Sequence, residues 1–107
     1  MSSVIKTVTT FGEQLRSIRE GAQLSLREVS SEIGIDTSLL GKIERNERSP
    51  TKYQIQLFAK FFKLDEKQLI KEVLSDQFAY KIIEEKADLD TLRAAEDKIK
   101  YLIKQKG

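Results

Sequence analysis

Apolar residues begin to recur at helical spacing from Phe11, where Phe11, Leu15, Ile18 and Ala22 fall every three or four positions. That spacing predicts one face of a helix capped by Thr10 and ending near Gln23. Ser25 precedes a second periodic stretch, and Glu28 stands three places later, the pattern of a capping box. The second helix buries Leu26 or Val29 together with Ile33 and stops at Gly34. Asp36 is a good N-cap for a third helix with Leu40 and Ile43 on its inner face. Residues 45–50 form a loop in which Asn46 is best able to turn left-handed. A fourth helix runs from about Thr51 to Phe62, with Ile55, Phe58, Ala59 and Phe62 towards the core. A fifth starts after its N-cap Asp65, buries Leu69, Ile70, Val73 and Leu74, and has a pattern that continues through Phe78, Ile82 and Ile83. Asp88 or Asp90 caps a last helix, whose Leu92, Ala95, Ile99 and Leu102 form a seam for one partner. Residues 1–10, rich in Ser and Thr with Val4, Ile5 and Val8 as the bulky apolar groups, read as a flexible arm. The whole pattern predicts an all-α protein.

Composition narrows the chemistry. The 107 residues are 39% hydrophobic and 34% charged, with one Pro and five Gly, which suits short amphipathic helices and not a turn-rich β-sandwich. The absence of Cys and His removes disulfides, thiolate and imidazole catalysis, and the usual zinc ligands. No cofactor or metal is expected, and no enzyme. Glu84 and Glu85, or Asp88 and Asp90, read as solvated or capping carboxylates, not an acid and base. Gly34 to Gly41 and Lys42 has six intervening residues where a phosphate-binding P-loop needs four. Tyr80 and Tyr101 read as packing residues. A net charge of +2 is too mild to establish nucleic-acid binding, so the placement of the basic residues must decide. No apolar run is long enough to span a membrane, and the first residues lack a signal-peptide pattern; a cytoplasmic protein with no membrane partner is expected.

Two short helices joined by Gly34, Ile35 and Asp36 describe a helix-turn-helix. Leu24-Ser25-Leu26-Arg27-Glu28-Val29, then Gly34-Ile35, then Ile43-Glu44-Arg45-Asn46-Glu47-Arg48-Ser49-Pro50 resemble the XRE/Cro-C1 family of helix-turn-helix regulators, which includes phage lambda-type repressors. The resemblance spans about residues 11–70. It implies a five-helix lambda-repressor-like domain whose third helix, residues 37–45, enters the major groove of double-stranded DNA. With Leu40 and Ile43 inward, helical geometry turns Thr37, Ser38, Gly41 and Lys42 outward as base contacts. Ser25, Arg27, Arg45, Asn46, Arg48 and Lys52 are the phosphate contacts expected around them, helped by the N-terminus of the second helix. The resemblance further implies a salt bridge from Glu44 to Arg19 in the first helix. Leu26 stands where the family often has a Gln that touches phosphate, and Asn46 replaces the usual glycine of the exit turn.

The organisation expected is therefore an arm (1–10), a DNA-binding domain (11–71) and a helical extension (72–107). In the fourth helix Tyr53, Leu57 and Phe61 form a second apolar stripe at positions often polar in the family. Together with Leu92, Ile99 and Leu102 they are the expected dimerisation residues, since two copies related by a two-fold axis read both halves of a palindrome; the alternative is that the C-terminal helices cap this stripe within the same chain. The expected function is a homodimeric, sequence-specific regulator of transcription, of the restriction-modification controller or antitoxin kind, with RNA polymerase or a cognate toxin as further partners. The competing reading is a protein-interaction adapter with weak or no DNA binding.

Overall fold

The computed structural model describes residues 8–106, which form six helices: α1 (Phe11–Gly21), α2 (Leu26–Ile33), α3 (Thr37–Glu44), α4 (Lys52–Phe62), α5 (Glu66–Glu84) and α6 (Leu89–Lys106). Residues 1–7 of the expected arm, with Val4 and Ile5, lie outside the described residues. Side-chain chemistry sets most of the boundaries. Thr10, Ser25 and Thr51 each accept from the backbone N–H three residues on, while Glu13, Glu28 and Gln54 return the bond to the cap's own N–H. Each capping box thus satisfies two of the donors that a helix start leaves unpaired. Asp36 caps α3 through Leu39 N–H, and Asp88 accepts from Thr91 N–H at the start of α6. Gly34 ends α2 at φ 75°, a left-handed conformation without steric cost when no Cβ is present.

By contact density the chain divides between Asp76 and Gln77. In the first unit α3 packs on α1 and α2, and α2 also packs on α4. Phe11 and Leu15 of α1, Val29 of α2, Ile35 of the turn, Leu40 and Ile43 of α3, Ile55, Phe58 and Ala59 of α4, and Leu69 and Val73 of α5 make one buried cluster. Phe11 and Phe58 meet with ring centroids 6.2 Å apart. Ile33, Leu26, Phe62 and Ile70 are half-buried around this cluster, whereas Ala22 and Leu74 are exposed.

The second apolar stripe expected on α4 is not free. Leu57 and Phe61 pack half-buried against the same cluster, and only Tyr53 is exposed, at 67%. Phe61 follows Phe58 by three residues and so shares its side of the helix; its ring meets Phe62 edge-on at 4.9 Å. Thus α4 has one broad apolar face instead of a core face and a separate contact face.

In the second unit every described residue of α6 is exposed. The α5 and α6 segments there border an apolar groove of about 440 Å³. Ion pairs one helical turn apart line both helices, from Lys81 to Glu84 and Glu85 and from Lys100 to Glu96. No helix among the described residues is long and apolar enough to cross a membrane.

Candidate nucleic-acid interface

The inner side of α3 is held by charge as well as by Leu40 and Ile43. Arg19 Nε donates to one Glu44 carboxylate oxygen at 2.7 Å and Nη2 to the other at 3.0 Å, while Nη1 donates to the Leu24 carbonyl at 2.8 Å. Both side chains are nearly buried, with 11% and 4% of their surface exposed. The hydrogen bonds to Glu44 hold the Arg19 guanidinium above its ordinary pKa, against the opposing effect of burial. This bidentate geometry fixes the orientation of α3 against α1 as well as its distance.

A second restraint comes from Gly12. A Cβ there would lie 2.5 Å from the Ile43 carbonyl oxygen and 2.6 Å from both the Glu44 carbonyl oxygen and Asn46 Oδ1. The start of α1 therefore abuts the end of α3 with no room for a side chain. Asn46 itself sits at φ 63°, the left-handed exit expected of it. Asp76 of α5 accepts from Phe11 N–H at 2.8 Å, and Gln14 of α1 donates to Glu72 at 2.9 Å, which ties α1 to α5. Burial raises the Asp76 pKa against the lowering by the Phe11 N–H, and the charges of Glu72 and Glu13 raise it further.

Thr37, Ser38 and Lys42 lie exposed on the outer side of α3, as their spacing from Leu40 and Ile43 requires. Thr37 is also held from α2. The Ser30 hydroxyl lies 3.1 Å from the Arg27 carbonyl and 2.6 Å from the Thr37 hydroxyl, and either hydroxyl can donate to the other. Gly41, expected outward, is instead buried. A Cβ at this position would meet Arg45 Nη1 at 3.1 Å and Leu26 Cδ1 at 3.9 Å, so α2 and the folded-back Arg45 cover it.

Of the basic residues around α3, Arg27, Arg48 and Lys52 are exposed. Arg45 is exposed but engaged, with Nε donating to Glu47 at 2.9 Å. That bond, and then the charge of Arg45, lowers the Glu47 pKa. Ser25 closes the start of α2 with Glu28, whose pKa is lowered by the Ser25 N–H. Asn46 is half-buried in the exit turn. Glu44 and Glu47, the two acids in this basic stretch, are therefore both neutralised by arginines. Gly12, the Ser30 to Thr37 contact and the Arg45 to Glu47 pair were not among the expectations. A glycine one residue inside a helix, where no cap needs it, was the available signal for the first.

Among the described residues no group of three or more carboxylates is placed to hold a metal ion. A pair of short helices joined by a three-residue turn, with the second helix anchored from behind and polar in front, is the arrangement of a DNA-binding helix-turn-helix. Residues 15–69 match the family described as Helix-turn-helix, and the chain belongs to this XRE-type family with a lambda-repressor-like fold. Among solved structures it is similar to the restriction-modification controller protein C.AhdI from Aeromonas hydrophila, at 29% identity and a TM-score of 0.52. That similarity covers 55% of this chain and 89% of C.AhdI. No curated protein matches the chain.

Proposed function

We propose that the protein is a sequence-specific regulator of transcription that binds a palindromic operator as a homodimer, in the role of a restriction-modification controller. The observation that carries the reading is the outer side of α3: Thr37, Ser38 and Lys42 exposed on a helix whose inner side is locked by Arg19 and Glu44. Thr37 and Ser38 donate or accept at base edges, the Thr37 methyl packs on thymine, and Lys42 donates to guanine O6 or N7. Arg27, Arg48 and Lys52 neutralise phosphates, with Ser25 and the N-terminus of α2 beside them. Arg45 contributes less than Arg48, because a phosphate must displace Glu47. Gly41 contributes by letting Leu26 and Arg45 close over α3, not by touching a base. Similarity to C.AhdI supports the controller role.

One α-helix offers few base contacts, and a two-fold pair doubles them; recognition helices about 34 Å apart would read half-sites centred about 10 base pairs apart. Selection from random duplexes tests the reading and should enrich a palindrome with that spacing. Lys42→Ala should lose roughly 1 to 3 kcal/mol of discrimination at one base pair, while Arg48→Ala weakens all sequences alike and reduces the salt slope by about one. Enrichment of no motif would reject sequence-specific binding and favour an adapter that uses the same helices on a protein.

A further inference from the structure

The groove bordered by α5 and α6 is lined by Phe78 and Ile82 from one helix and by Leu92, Ala95 and Ile99 from the other. Among the described residues beyond Asp76, nine large apolar side chains are more than 40% exposed. Of these, Phe78, Leu92 and Ile99 line the groove, while the others, such as the consecutive Tyr101, Leu102 and Ile103, are spread around the helices. The extent of the surface fits a second folded protein better than a small ligand.

Two features of α6 identify that protein and its orientation. The first is charge. Residues 89–97 contain Asp90, Glu96 and Asp97 against Arg93, whereas residues 98–106 contain Lys98, Lys100, Lys104 and Lys106 with no acid. Two parallel copies of α6 would bring eight lysines to one end, while two antiparallel copies set each basic half beside an acidic one and oppose their helix dipoles. The second is volume. Antiparallel pairing about a centre at residue 97 places Leu92 opposite Leu102 and Ala95 opposite Ile99, so that each layer of the seam receives a large side chain. Parallel pairing would stack Ala95 on Ala95 and leave a void.

We propose that the groove receives α6 of a second copy of this chain, with the two α6 helices antiparallel across the two-fold axis. The proposal rests on the homodimer of the function above and adds its contact and direction.

The chain contains no cysteine, so one introduced cysteine can form a disulfide only between copies. Full-length Leu92→Cys and Leu102→Cys are oxidised separately and as an equimolar mixture, and the linked species are identified by mass. The expected result is a Leu92→Cys to Leu102→Cys heterodimer in the mixture and little linkage in either variant alone. Homotypic linkage of each variant would overturn the antiparallel direction, and an unlinked dimer would overturn the α6 contact; both outcomes leave the homodimer standing. An intact protein that sediments as a monomer would remove the homodimer itself. Where a reduced variant no longer dimerises, Ala95→Cys with Ile99→Cys reads the same arrangement.

Discussion

The described residues up to Asp76 and those from Gln77 onward consist of the same kind of capped, charge-laced helix, yet only the first group closes on itself. Before the boundary, eleven large or small apolar side chains disappear into one cluster, and the charged pair at its edge is nearly dry. Beyond it, Ile99 and Leu102 have the spacing of core residues but remain more than half exposed. A helix start needs only its local cap, as Asp88 shows, whereas an apolar seam needs a surface to meet. Regular helical patterning thus does not show which surface will bury it.

The largest effect expected from testing this contrast lies in the charged pair. Arg19→Ala or Glu44→Ala should cost about 3 to 5 kcal/mol in urea unfolding by stranding the remaining charge, while Arg19→Met with Glu44→Leu should recover most of the loss. Equal losses in the single and double variants would mean that packing, not the stranded charge, dominates. Next comes Gly12→Ala, whose Cβ meets backbone oxygens that cannot swing aside. About 1 to 3 kcal/mol of destabilisation should follow, again read by urea unfolding.

Ser25→Ala removes one half of a capping box and should cost about 1 kcal/mol, measured as a lower melting temperature with the fold unchanged. Ile99→Ala, studied at concentrations where the chain is monomeric, should move the main unfolding transition by less than about 0.5 kcal/mol, as for an ordinary surface position. A loss of core size there would show that residues beyond Asp76 have a closed core of their own.

The smallest effect is a sign. Asp76 has a raised pKa, so the native state holds its proton more tightly than the unfolded chain and stability falls as pH rises from the ordinary carboxylate value through the raised one. Asp76→Asn keeps an acceptor for Phe11 N–H without that dependence. Its stability relative to the parent should rise through this window and level off above it in parallel thermal melts. Glu28, whose pKa is lowered mainly by the Ser25 N–H, gives the opposite slope in both proteins and cancels from the difference.

Features that depend on a few neighbouring residues were legible in the sequence. Ser25 with Glu28, Gly34, Asp36 and Asn46 each act within one turn of where they stand. The Arg19 to Glu44 bridge spans 25 positions and was legible through family resemblance, not spacing. Features that depend on what covers a helix were not. Gly41 lies on the side that helical geometry calls outer, but Leu26 of another helix closes over it. Leu57 and Phe61 resembled a free stripe because counting positions cannot measure the width of a face. The need for glycine at position 12 arises only from the approach of the α3 carbonyls, which are distant in sequence.

The dryness of the Arg19 to Glu44 pair also bears on how quickly DNA could be recaptured. Exposed phosphate contacts weaken with ionic strength because mobile ions reach them; at 0.1 M salt the screening length is about 10 Å in solvent, but a buried bidentate pair is screened much less. Salt that releases the duplex would therefore leave α3 in place against α1. The freed protein would meet its next site with the recognition helix already oriented, so association would require no ordering of that helix and its rate would be governed by encounter and charge steering.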